Sequence, residues 1–147
     1  MHELNLLLHV IAATIWTGGH IVLSTVVLPR ALRERSPDQL LRFESGYEKI
    51  GIPALIVQVV TGLLLADRLL GEGRSWFDFS DPVSRLVSVK LLLLALTAAF
   101  AVDARFRLIP GLSAEKLVAL AWHVIPVTIF SILFVVVGVS FRAGWFY

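Results

Sequence analysis

The stretch LNLLLHVIAATIWTGGHIVLSTVVL, residues 4–28, decides the fold. It contains no Asp, Glu, Lys or Arg, and about 20 apolar residues suffice for an α-helix to cross the hydrocarbon core of a bilayer. A cleaved signal peptide would need a basic leader and an apolar core of roughly 7–15 residues. Here only His2 and Glu3 lie between Met1 and the run. The segment therefore reads as a retained membrane-spanning helix.

Working outward, three more runs of the same kind follow, near residues 50–70, 82–102 and 113–141. Pro29-Arg30 is expected to close the first span, because a proline restrains the residue before it and lacks an N–H. Ser36-Pro37-Asp38-Gln39 reads as a helix start, with Ser36 as N-cap and Pro37 in the first position. An amphipathic approach helix, about 37–49, would then lead into span two through a kink at Pro53. Asp81-Pro82 opens the third span, and Ser113 with Glu115 opens the fourth. Unpaired backbone is not tolerated in hydrocarbon, so the spans are helices. The expected fold is all-α, an integral-membrane antiparallel four-helix bundle forming a single domain over 1–147.

Composition agrees. Of 147 residues 57% are hydrophobic and 16% charged, against roughly 25% charged in soluble domains. With no cysteine, disulfides, thiolate metal sites and thiol redox chemistry are excluded. Met1 is the single methionine, so the membrane interior offers no soft ligand. The formal charge of +2 reflects basic loops rather than a nucleic-acid partner.

Arg30, Arg33, Arg35, Arg42 and Lys49, with Arg105, Arg107 and Lys116, flank one side of the bundle. Arg68, Arg74, Arg85 and Arg142 flank the other, eight basic residues against four. The positive-inside bias then puts the protein in a bacterial-type inner membrane with both termini periplasmic. The loop GEGRSWFDFS, residues 71–80, carries Trp76, Phe77 and Phe79 and suits an aromatic anchor at the headgroups.

Ionisable side chains at membrane depth are functional candidates. They are His9, His20, Lys90 and His123, with Gln58 as a neutral companion. His2, His9, Trp16 and His20 fall on one stripe of the first helix, because their offsets of 7, 14 and 18 match the helical period. His20 precedes Leu28 by eight residues and His123 follows Ser113 by ten, about 12 and 15 Å from the same membrane boundary. Two imidazoles at equal depth in a bundle core suit axial ligation of a b-type haem. His9 and Lys90 lie at matching depth from the opposite side. There His9 acts as a second ligand or a proton relay, and Lys90, with Arg85 and Arg142, meets propionates or an anionic substrate. Ordinary helix–helix hydrogen bonding is the competing account of each histidine, and for His2 beside the terminus it is the better one, although the His2–His9 stripe also offers copper(II) ligands near the outer surface. Gly18, Gly19 and Gly62 permit close helix approach, which suggests a homodimer.

His9-(x6)-Trp16-x-Gly18-Gly19 followed by Val26-Val27-Leu28-Pro29-Arg30-Ala31-Leu32 resembles the first helix of the copper-resistance D (CopD-like) membrane family. Thr61-Gly62, Lys90-Leu91 and Gly138-Val139-Ser140-Phe141-Arg142 fit the same pattern, over essentially the whole chain. The His, Trp, Leu-Pro-Arg and Lys-Leu framework is also similar to the HemJ family of haem proteins, which implies His9 as a haem ligand and Lys90 as a functional lysine. Span four lacks that family's Arg-x-x-Asn-Glu segment.

The donors are imidazoles rather than thiolates, which ranks haem b above copper on ligand chemistry alone. The reading is a b-type haem protein working in electron transfer or redox chemistry with a redox partner or quinol. His20, His123 and His9 are the metal ligands, Trp16, Lys90 and Arg142 complete the cofactor site, and His9 and Lys90 are the catalytic candidates. The alternatives are copper binding and transport, or a cofactor-free structural subunit.

Overall fold

The computed structural model describes residues 2–73 and 75–146. Four helices long and apolar enough to span a membrane account for most of it: α1 (His2–Glu34), α2 (Asp38–Leu70), α3 (Pro82–Gly111) and α4 (Ala114–Ala143). No strand occurs among the described residues. The helices alternate in direction, so one end of the bundle carries the termini and the loop between α2 and α3. The opposite, basic end carries the two short connections.

The first helix does not stop at Pro29. A π-helical turn, Leu23–Val27, precedes it, and the Leu28 N–H reaches back to the Leu23 carbonyl. Thr25 Oγ1 donates to the Ile21 carbonyl at 2.6 Å, and Ser24 Oγ donates to the same oxygen at 3.1 Å. A local π adjustment with hydroxyl donors is how a membrane helix passes a proline without orphaned carbonyls. The helix ends at Arg35, in the left-handed conformation (φ 50°), and the Ser36 N–H closes onto the Ala31 carbonyl at 3.1 Å. Ser36 therefore finishes α1 and does not cap α2 through its side chain. The approach segment and span two are one helix of 33 residues, uninterrupted through Pro53. At the start of α3, Asp81 does cap as its spacing implies, accepting from Ser84 N at 2.8 Å and Ser84 Oγ at 3.0 Å.

The polarity of the bundle runs opposite to that of a soluble protein. Val10, Ile56, Val60, Leu92, Ile129 and Leu133 are exposed, whereas Thr17, Gln58, Thr61, Thr97, Thr128 and Ser131 are buried. Lipid rewards an apolar exterior, and small hydroxyl residues let helices approach and bond across the interface. Between α1 and α4, Thr17 Oγ1 donates to the Ser131 carbonyl at 3.3 Å and Thr128 Oγ1 to the His20 carbonyl at 3.1 Å. Trp122 is 72% exposed, which places it on the lipid face rather than in packing.

Around the bundle, α2 packs on α1, α1 on α4 and α4 on α3, while α2 and α3 scarcely meet. The Tyr47 ring wedges between α1 and α2. Its hydroxyl donates to the Ile15 and Trp16 carbonyls, each at 3.1 Å, and a Cβ on Gly19 would stand 2.1 Å from the ring. A Cβ on Gly62 would stand 3.0 Å from His9 Cε1, and one on Gly18 would meet nothing within 4 Å. Gly19 and Gly62 thus serve contacts inside the chain.

Candidate functional site

The loose seam between α2 and α3 leaves a cavity of about 310 Å³ toward the basic end. His20 and His123 both line it, as their equal depth predicts, together with Trp16, Tyr47, Glu44 and Arg105. Their two imidazoles are held in different ways.

His20 Nδ1 lies 2.9 Å from the Trp16 carbonyl one turn earlier. A carbonyl only accepts, so Nδ1 carries a proton, and in the neutral imidazole the lone pair is then on Nε2. Nε2 has no hydrogen-bond partner among the described residues and is not a fully enclosed atom. The buried Trp16 ring tilts over the imidazole with centroids 4.3 Å apart, and Tyr47 meets it edge-on at 5.9 Å. The result is a fixed imidazole on the cavity wall, with its Nδ1 proton anchored to backbone and Nε2 left as the nitrogen open to a ligand.

His123 is anchored the same way on one side, Nδ1 donating to the Ala119 carbonyl at 2.9 Å. Its Nε2, however, meets Asp103 Oδ2 at 2.6 Å. The Asp103 carboxylate is also held by Arg107, through Nε at 2.8 Å and Nη2 at 2.5 Å. His123 therefore stands as one member of an ion-pair network. A second network bridges the seam: Arg105 Nη2 reaches Glu48 at 2.9 Å and Nη1 reaches Glu44 at 3.5 Å. The π-helical turn Ala104–Leu108 presents Arg105 and Arg107 on this end of α3.

This donor set does not fit a haem clamped between His20 and His123. One of the two axial nitrogens is taken by a carboxylate, and the cavity's guanidinium, Arg105, is committed to Glu44 and Glu48 rather than to propionates. Among the described residues, no three or more His, Asp and Glu side chains converge tightly enough to form a closed metal site. The geometry offers one open imidazole nitrogen in a cavity edged with carboxylates.

The remaining expected residues gather near the other end. His9 Nδ1 lies 3.0 Å from both the Gln58 carbonyl and Thr61 Oγ1. Thr61 itself donates to the Val57 carbonyl at 2.6 Å, so Nδ1–H is the donor in the His9 contacts. Lys90 is within electrostatic reach of His9, as the depth calculation pairs them. Its Nζ lies 5.8 Å from the centre of the Phe141 ring. Arg142 is exposed at the end of α4, and His2 is exposed. His9 is 11 positions from His20, about 16 Å along the helix, so the two ends are separate sites.

Sequence reasoning missed Asp103, Tyr47 and the Glu44/Glu48–Arg105 bridge. The i,i+4 spacing of Asp103 and Arg107 was a readable signal of an ion pair. Nothing local announces that His123 shares it. Tyr47 was hidden by its place in an approach helix expected to lie outside the membrane.

No curated protein and no solved structure matches the chain. Residues 41–141 match the family described as Copper resistance protein D. That match spans α2, α3 and most of α4 and leaves out α1, where the likeness first stood out, and it does not carry the HemJ resemblance. With more than half of its length matched, the chain belongs to the copper resistance protein D family.

Proposed function

We propose that this protein binds copper within the membrane and passes it across, with His20 Nε2 as the ligand nitrogen presented to the ion. The observation that carries the reading is the state of His20: its other nitrogen is fixed to Trp16, and its lone pair faces a cavity lined by Glu44, Glu48 and His123. Family membership supplies the link to copper.

Imidazole and carboxylate are the ligands that suit copper(II), and no thiolate or thioether is available within the spans for copper(I). A cargo site should also release its ion. One fixed imidazole, with further ligands recruited from ion pairs that must open, gives a low-coordinate transit site rather than a storage site. The proposal includes the orientation read from the basic residues, an inner membrane with the cavity in the cytoplasmic half and both termini outside.

The test is copper flux into proteoliposomes containing the full chain, with His20→Ala and His123→Ala in parallel. Loss of flux in His20→Ala, with retained folding by circular dichroism, supports the reading. Unchanged flux in His20→Ala contradicts it. Haem on the purified protein, with His20 as its ligand, would replace copper by electron transfer.

A further inference from the structure

Helical rise orders the polar residues of the cavity from the basic end inward. Glu44 lies six residues from Asp38, the start of α2, and Arg105 six from Gly111, the end of α3, about 9 Å in each case. Glu48 lies one turn further in. His123 is nine residues from Ala114 and His20 fourteen from Glu34, about 14 and 21 Å. All five line the cavity. A solute that enters from the basic end therefore passes the level of Glu44 and Arg105 before it reaches either imidazole.

At that level the seam is closed by side chains. The two helices that flank it, α2 and α3, scarcely meet, yet Arg105 reaches across from α3, with Nη2 2.9 Å from Glu48 and Nη1 3.5 Å from Glu44. The two carboxylates are four residues apart and share one face of α2, so a single guanidinium spans both. The Arg105 side chain is 48% exposed and those of Glu44 and Glu48 23% and 31%, which puts the bridge at the rim of the cavity rather than in its depth. Ion pairs this exposed are weak and change partners readily, whereas a fully buried pair would be costly to break. Opening requires only rotation of an exposed side chain, which is fast, and no helix has to move. Arg107, two residues along the same π turn, turns instead to Asp103.

We propose that Arg105 is a gate: its guanidinium, held between Glu44 and Glu48, closes the cavity to water-borne solutes at the basic end, and the cavity opens when that side chain swings off the two carboxylates. The gate deepens the copper reading and rests on it for the identity of the cargo, a cation that meets the two carboxylates as the guanidinium gives them up.

The chain has no cysteine, so Val127→Cys, at a buried cavity-lining position one turn beyond His123, supplies a single thiol. The experiment uses the full chain with this substitution in nanodiscs, without copper, and follows its modification by a cationic and by an anionic methanethiosulfonate reagent. A change in local charge speeds one reagent and slows the other, whereas an open gate speeds both. Arg105→Gln and Arg105→Glu are expected to speed both reagents several-fold. Adding Glu48→Arg to Arg105→Glu restores an ion pair and should return the rate toward that of the parent, and Arg107→Gln should leave it slow. Rates unchanged by the loss of Arg105 overturn the gate. So do acceleration of the cationic reagent alone, equal acceleration by Arg107→Gln, and a charge swap that labels as fast as Arg105→Glu. With copper absent from the labelling, gate and cargo fail separately. Accelerated labelling beside absent copper flux keeps the gate and overturns the copper reading, whereas unchanged labelling beside intact flux overturns the gate alone.

Discussion

At the basic end, His123 meets Asp103 at 2.6 Å and Arg105 meets Glu48 at 2.9 Å. Nearer the termini, Lys90 is within electrostatic reach of His9, and neither pairs with a carboxylate among the described residues. Both ends place titratable groups inside a lipid-facing shell. The first surrounds them with opposite charge and leaves one unpartnered nitrogen, His20 Nε2, at a cavity. The second leaves a cation uncompensated. On the copper reading proposed above, the metal cation belongs at the basic end, where carboxylates edge the cavity, rather than beside Lys90. The contrast explains why two histidines on one helix, His9 and His20, should not be equivalent metal sites, although the stripe on α1 makes them look alike.

The largest effect on stability should come from the backbone seats of the two ends. Gly19→Ala drives a Cβ into the Tyr47 ring, which its two hydrogen bonds hold in place. Overpacking of this kind costs about 1–3 kcal/mol. Gly62→Ala presses only on the edge of His9 and should cost less than Gly19→Ala. Thermal unfolding in one detergent ranks them, and the reverse order would mean that His9, not Tyr47, is the stiffer element.

Next in size is the exchange of partners at His123. In Asp103→Asn the carboxylate no longer competes for Nε2, which becomes available as a second ligand beside His20. Copper should then bind about tenfold tighter, in line with the loss of one charge-assisted hydrogen bond that opposed it. Equilibrium dialysis with copper(II) measures this, and weaker binding would show that Asp103 is itself a ligand.

Tyr47→Phe keeps the ring on Gly19 and removes only the hydroxyl's bonds to Ile15 and Trp16, a loss of about 1 kcal/mol. A much larger loss would mean that the hydroxyl also holds His20 in place.

Much of the architecture was legible in advance, because membrane spans depend on length and polarity, and those are properties of single segments. That His20 and His123 come to one cavity was legible for the same reason, since helical rise converts residue counts to distance. What a residue count cannot give is competition for an atom. Whether His123 Nε2 is free depends on where Asp103, on another helix, points its carboxylate. The continuation of α1 past Pro29 was also out of reach, since it depends on a π turn and on the hydroxyls of Ser24 and Thr25 choosing the Ile21 carbonyl. The glycines were visible, but their partners were not. A gap for a second copy and a seat for Tyr47 look identical in a sequence.

The smallest predicted effect lies outside the membrane, in the loop at the terminal end. Asp78 accepts from the Ser80 hydroxyl at 2.6 Å and the Ser80 N–H at 2.9 Å, and these bonds hold its carboxyl below the usual range. A carboxyl lowered in the folded state stabilises it above the unfolded pKa and loses that contribution as pH falls through the folded value. Exchange of the Ser80 amide should quicken as the medium is acidified through that window, while the α1–α4 contacts at Thr128 stay protected. Simultaneous loosening of both would tie the loop to the bundle.

The most direct measurement is metal analysis together with an absorption spectrum of the purified full chain, wild type and His20→Ala, after loading with copper(II) and with haem supplied in parallel. The account predicts copper on the wild type, lost in His20→Ala, with no Soret band in either. A Soret band that His20→Ala abolishes, on protein that takes up no copper, would contradict it and make His20 a haem ligand.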